Sequence, residues 1–336
     1  MAKVDGKGEI KKTDQPILEV RNLRKHFPVK SRYLRRRIGW LRAVDDISFT
    51  IQRGEIFGIV GESGCGKSTL GKTILGIYRA SGGEVYFNGE KINDLPPKKM
   101  KIVREKIQYV YQDPGASLDP WWRIGKILRE PLLIHEHLSS AEMNEKVRSI
   151  LREVGLDEDH MYRFPHEFSG GQQRRLGLAR ILILNPSMII FDEPTSGLDV
   201  SVQATILNFF KEVKEFYDLT YIFISHDLEI IRMMTDRVAV MYLGKIAEHG
   251  NSRLIFESPV HPYTKLLLSA IPKIESKDSE DGTGELMVGE VPDPHHIPPG
   301  CRFQPRCSRA KGRCDREEPQ LQQLTDGRFV ACHLDQ

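Results

Sequence analysis

Nine residues constrain this chain more than any others: GESGCGKST, at positions 61–69. They follow an apolar run, EIFGIVG (55–61), and precede a helix-like run, TLGKTILGI. The pattern G-x-x-x-x-G-K-[ST] between a buried strand and a helix makes a cradle for phosphates. Its glycines let successive backbone N–H groups turn inward, and the helix start adds the positive end of its dipole. Gly61, Glu62, Ser63, Gly64, Cys65, Gly66, Lys67, Ser68 and Thr69 are therefore candidate ATP-binding residues. Lys67 has the reach for the β- and γ-phosphates, and the Ser68 hydroxyl suits Mg²⁺. Cys65 reads as a small packing residue rather than a reactive thiol.

A second apolar strand pattern, MIIFDEP (188–194), ends in two carboxylates. At the C-terminal end of a parallel strand these face the ligand crevice. Asp192 is the candidate for the Mg²⁺ shell, and Glu193 the candidate general base for an attacking water. A third strand pattern, TYIFIS (220–225), is followed by His226, placed to position water and the γ-phosphate. Strand patterns alternating with helical ones predict an α/β sheet. AVDDISFTI (43–51) alternates as a half-buried strand, and GGEVYFNGE (82–90) ends in an Asn-Gly turn signal. From about 121 to 185 the texture is helical; SSAEMNEKVRSILREVGL (139–156) opens with a Ser cap. The basic stretch KSRYLRRRIGWLR (30–42) reads as a solvated loop between strands, with contact to phosphates or lipid head groups as the alternative.

A net charge of +3 over 336 residues gives no reason to expect nucleic acid. MAKVDGKGEIKK is too polar for a secretory leader, and no apolar run is long enough to span a bilayer. Residues 1–15 read as a flexible tail. After about 272 a polar linker leads to a Pro- and Cys-rich segment. There Cys301, Cys307, Cys314 and Cys332 are separated by 5, 6 and 17 residues. In a reducing compartment such a cluster reads as a metal site, and four thiolates suit zinc or an iron–sulfur cluster.

FSGGQQRR (168–175) separates this chain from other phosphate-loop proteins. Here it resembles the ATP-binding cassette (ABC) family, whose signature is LSGGQ; Phe168 replaces the usual Leu. The resemblance implies an α/β P-loop NTPase core of ABC type with an antiparallel β subdomain, a helical subdomain near 121–185 and a small Cys-rich C-terminal module. The cassette would span 16–272 and the linker with its metal-binding extension 273–336. Gln112 in YVYQDP looks like the family's Q-loop residue, a further Mg²⁺ ligand. Ser196 to Asp199 looks like its D-loop, and Phe27 like the aromatic that stacks on adenine. Ser169, Gly170, Gly171, Gln172 and Asp199 would then serve a nucleotide held by a second ATPase subunit, a paralogue or a second copy. HPYTKLLLSAIP (261–272) followed by PPGCRFQPRC resembles the C-terminal extension of dipeptide and oligopeptide permease ATPases. That implies two transmembrane permease subunits and, indirectly, an extracytoplasmic solute-binding protein, with this chain peripheral on the cytoplasmic face of the membrane. Oligosaccharide uptake and a soluble non-transport ABC ATPase are the alternatives. The same resemblance tilts the metal towards [4Fe–4S] over zinc, in a structural role that contributes nothing obvious to hydrolysis.

Overall fold

The computed structural model describes residues 15–30, 37–111, 115–271 and 292–333. Two sheets carry it. Strands β1 (Leu18–Lys30), β2 (Arg37–Ile51), β4 (Gly82–Phe87) and β5 (Glu90–Lys91) form an antiparallel sheet in the order β2-β1-β4-β5. The β4–β5 turn is the Asn88-Gly89 pair, both at positive φ, as a tight hairpin requires. The basic stretch is less of a loop than its composition suggests: β2 begins at Arg37 and pairs along β1 from Arg37↔Lys30 to Ile51↔Leu18. Residues 31–36 of that stretch lie outside the described residues, as do 1–14 of the N-terminal tail.

The second sheet holds β3 (Ile56–Val60), β6 (Ile107–Val110), β7 (Met188–Asp192), β8 (Thr220–Ser225), β9 (Arg237–Tyr242) and β10 (Lys245–Asn251). Two short strands, β11 (Gln322–Gln323) and β12 (Phe329–Val330), complete it in the order β11-β12-β10-β9-β3-β8-β7-β6. From β9 to β6 the pairing is parallel, and β3, β7 and β8 are buried at every residue. That explains why these strands read as continuous apolar runs, not alternating ones. One core lies between the two sheets and includes Phe49 stacked on Phe57 at 4.9 Å. A larger one lies on the other face and extends into the helical region.

After α1 (Lys67–Ile74) and α2 (Pro97–Lys106), the helices α3 (Ile124–His135), α4 (Ser140–Glu153) and α5 (Gly170–Leu182) of that region pack together. Ser139 caps α4 through a capping box with Glu142, and Gly155 at φ 73° lets the chain leave it. After β7, α6 (Val200–Tyr217) buries Ile206, Phe210 and Val213 at helical spacing. The Cys-rich segment is joined to this body: β12 pairs with β10, and Phe303 lies in the larger core. Glu248 on β10, fully buried, accepts from the backbone N–H groups of Val260 and His261 and faces Arg328. Among the described residues no helix is long and apolar enough to cross a membrane.

Candidate nucleotide site

β3 ends in the 61–69 loop, and α1 (Lys67–Ile74) starts inside it. The backbone at Gly66 has φ 109°, and a Cβ there would stand 1.9 Å from the Ala43 carbonyl oxygen. At Gly61 a Cβ would meet the Met241 carbonyl oxygen at 2.1 Å. Both glycines are thus required by close approach of other backbone, and the loop is clamped between β2 and β9. Cys65 is buried in it, and burial pushes its thiol up, in keeping with a packing role.

Lys67 is buried and folds back on its own loop, its Nζ donating to the carbonyls of Gly61 (2.7 Å) and Glu62 (3.0 Å). Next to it, Ser68 Oγ donates to Asp192 Oδ1 at 2.8 Å, across from β7. The other carboxylate oxygen of Asp192 accepts from Tyr109 Oη at 2.6 Å. Burial, then the Asp192 carboxylate, drives the Tyr109 phenol far above its ordinary range, so it stays a donor. Tyr109 is a site residue that the sequence reading missed. Its only signal is its place on β6, three residues before Gln112, which itself lies outside the described residues.

Glu193 has φ 52°, a left-handed backbone that a non-glycine residue rarely adopts, and its N–H donates to the Ile224 carbonyl. This turn sends its carboxylate off the strand axis, where Oε2 lies 3.2 Å from His226 Nδ1. Two adjacent parallel strands, β7 and β8, thus bring the acid pair and the histidine to one edge, beside the loop from β3. Phe27 sits on β1 opposite Leu41, edge-on to Tyr78 at 5.4 Å, with the Lys25 ammonium 4.6 Å over its ring.

Ser169 caps α5, its hydroxyl accepting from the Gln172 N–H while Gln172 Oε1 accepts from the Ser169 N–H. Gly170 and Gly171 are exposed, and a Cβ on either would have nothing within 4 Å. Gly197 turns at φ 75°, and Asp199 then opens α6. The two helix starts, of α5 and α6, line one cleft of about 530 Å³ that includes Ser169, Gln172, Arg175 and Ser201.

A family profile described as "ABC transporter" matches residues 44–196, and another, "Oligopeptide/dipeptide transporter, C-terminal region", matches 247–314. The oligopeptide transport ATP-binding protein AppF of Bacillus subtilis is 46% identical over 95% of this chain and 98% of its own length. The chain belongs to the ATP-binding cassette transporter family. As an ABC ATPase it is also 44% identical to the dipeptide transport ATP-binding protein DppF of Escherichia coli, over 95% of this chain and 94% of that one. Among solved structures, CbiO1 of Clostridium perfringens, part of the ABC transporter complex CbiONQ, has a TM-score of 0.62 at 30% identity. It covers 72% of this cassette chain and 91% of its own length. The dimeric post-hydrolysis state of the ATP-binding cassette MJ0796 bound to ADP and Pi has a TM-score of 0.60 at 28% identity, covering 70% and 99%. ATP and Mg²⁺ are the ligands this ATPase fold takes, and Ser68 and Asp192, hard oxygen donors 2.8 Å apart, fit the metal.

The four tail cysteines of the cassette chain share one neighbourhood. The Cys301 thiol is pushed up to about 11, first by burial and then by the charges that Cys314, Cys332 and Cys307 would carry. Cys301 N–H donates to the Cys314 carbonyl at 2.8 Å. Even so, among the described residues no three or more His, Cys, Asp or Glu side chains form a group that could hold a metal ion. The expected iron–sulfur site therefore has convergence without a ligand cage.

Proposed function

We propose that this chain powers uptake of dipeptides or oligopeptides, by binding and hydrolysing ATP between itself and a second ATPase subunit. The observation that carries this is the meeting of Lys67, Ser68, Asp192, Glu193 and His226 at one edge of three neighbouring parallel strands. The names of the relatives, which are oligopeptide and dipeptide transport proteins, support the solute class.

In this reading the loop N–H groups and Lys67 take the triphosphate, and Phe27 stacks on the adenine. Ser68 and Asp192, with Gln112, hold Mg²⁺, which when bound neutralises phosphate charge. Glu193 Oε2 accepts the proton of the attacking water, and His226, 3.2 Å away, orients that carboxylate and the γ-phosphate. Ser169, Gly170, Gly171, Gln172 and Asp199 serve the nucleotide of the partner subunit. The exposure of Ser169, the two glycines and Asp199 supports that role, as does the presence of a complete phosphate loop elsewhere in the same chain. A groove of about 610 Å³ between β6, α3 and α5, lined by Ile77, Tyr111, Pro131, Ile134 and Ile181, suits a helix of a membrane permease. The chain would then sit peripherally on the cytoplasmic face of a membrane.

Glu193→Gln is the test. It should bind ATP normally, cut steady-state hydrolysis by about two orders of magnitude or more, and trap a closed dimer. Near-normal turnover by the assembled variant would remove Glu193 from its role. In this proposal the four cysteines would be the ligands of one [4Fe–4S] centre, with zinc as the alternative. Anaerobically purified protein should be brown and hold about four irons per chain. Colourless protein with one zinc, or full metal retained by Cys307→Ser/Cys314→Ser, would refute the cluster or the ligand set respectively.

A further inference from the structure

The loop between Cys301 and Cys307 sends two arginines out of the Cys-rich segment and into the nucleotide site. Arg306 is the closer. Its side chain is only 2% exposed, and its guanidinium meets Glu62 in a two-pronged pair, Nη1 to Oε2 at 2.8 Å and Nη2 to Oε1 at 2.9 Å. Tyr242 and Phe303 flank the guanidinium at 5.9 Å. Arg302, four residues earlier, pairs with Asp45 and donates to the Leu243 carbonyl. Asp45 in turn holds His26 Nε2 at 2.9 Å, next to Phe27. The Asp45 carboxyl is raised by burial, but Arg302 and His26 outweigh that and hold it below the ordinary range.

Glu62 is the second residue of the phosphate loop, and it is held at three points. Its N–H donates to Tyr263 Oη (3.0 Å), its carbonyl accepts from Lys67 (3.0 Å), and its carboxylate takes Arg306. A carboxylate in an anion-binding loop has the same sign as the phosphates it adjoins. Without a partner it would repel them and be free to swing across the loop. A fork-shaped guanidinium solves both problems at once: it cancels the charge and fixes the plane of the carboxylate.

We propose that Arg306 is a positioning residue of the ATP site: it neutralises and orients Glu62 so that the loop can accept a polyphosphate. The proposal rests on the ATP-site reading above. It goes beyond that reading by making the Cys-rich segment part of the binding machinery. The competing account is that the pair only docks the tail, and rescue distinguishes the two. With a fluorescent non-hydrolysable ATP analogue as probe, full-length Arg306→Gln should bind about tenfold more weakly at low salt, because one uncompensated charge near the phosphates has that effect at an intermediate effective dielectric. The defect should shrink in high salt. Adding Glu62→Gln should recover affinity to within about threefold of wild type, since the repelling charge is gone. Wild-type affinity in Arg306→Gln overturns the proposal, and so does a double variant no better than the single one. If Arg306→Gln fails to fold, Arg306→Lys replaces it, keeping the charge but losing the fork. It should bind about threefold more weakly, and unchanged affinity overturns the positioning role. Lys67→Ala is measured alongside: if it too binds like wild type, the failure lies in the phosphate-loop reading and not in Arg306.

Discussion

Gly171→Ala separates what the isolated fold needs from what the assembled enzyme needs. Gly171 lies in the first turn of α5, its φ is not positive, and a Cβ built on it meets nothing within 4 Å. Nothing among the described residues therefore asks for glycine there. An alanine should reduce the entropy of the unfolded chain and suit the helix better, a stabilisation of about 0.4–1 kcal/mol. For a chain of this size that is a rise in Tm of roughly 0.5–1.5 °C without nucleotide. In the proposed dimer Gly171 serves the partner's nucleotide, and an added methyl group would crowd it. Displacing reacting atoms by about 1 Å can cost about a hundredfold in rate. The assay is paired: thermal unfolding of the nucleotide-free chain, and steady-state ATP hydrolysis by the assembled transporter. Higher stability with a loss of hydrolysis of about a hundredfold is the expected result. A lower Tm would show that the isolated fold does use the glycine, and near-normal hydrolysis would show that no ligand approaches it.

Lys67→Ala should weaken ATP binding strongly in calorimetry, since the loop loses its buried cation. A dimer of one Lys67→Ala subunit and one Ser169→Ala subunit should retain one intact composite site and measurable hydrolysis; full activity of a strictly monomeric chain would exclude a shared site. Burial holds His249 and His261 down at about 4, below their ordinary value, so their neutral forms stabilise the fold fully above about pH 6.5. That stability should be lost as pH falls from 6.5 towards 4, at up to about 1.4 kcal/mol per pH unit for each histidine, and urea unfolding at pH 7, 5.5 and 4.5 should show a shallower loss in His261→Gln.

The parts of the site that lie on contiguous motifs were legible in the sequence. Lys67, Ser68, Asp192, Glu193 and His226 each follow or end an apolar strand pattern, and parallel pairing of β3, β7 and β8 does the rest. What was not legible were pairs between residues outside any motif. Arg306 and Glu62 are 244 positions apart, and Arg302 and Asp45 are 257 apart. No local periodicity links such partners. β12 has two residues, too few for any alternation to show, so its pairing with β10 was invisible. The start of β2 was hidden for another reason: RIGWLR carries charge on an exposed hairpin, and charge reads as loop. The expectation that the tail contributes nothing obvious to hydrolysis was formed without these two arginine pairs, which arise through tertiary contacts alone.

The polar groups of the site satisfy one another. Lys67 sits on its own loop's carbonyls, the Ser68 hydroxyl on Asp192, Asp192 on Tyr109, and His226 beside Glu193. Among the described residues, Lys67, Ser68, Asp192, Glu193 and His226 have no buried polar atom left without a partner. Binding is therefore an exchange: phosphate oxygens must take the ammonium from two carbonyls, and metal must take the hydroxyl and carboxylate from each other. The bonds that Lys67, Ser68 and Asp192 make to nucleotide or metal replace ones within the protein, so their net contribution is far below the sum of the new bonds. An enzyme that must release its product each cycle benefits from that cancellation, since binding nucleotide and product too tightly would slow turnover. Arg306 fits the same logic from outside the exchange. It is already committed to Glu62 before nucleotide arrives, so the charge it cancels is absent from the balance when the phosphates enter.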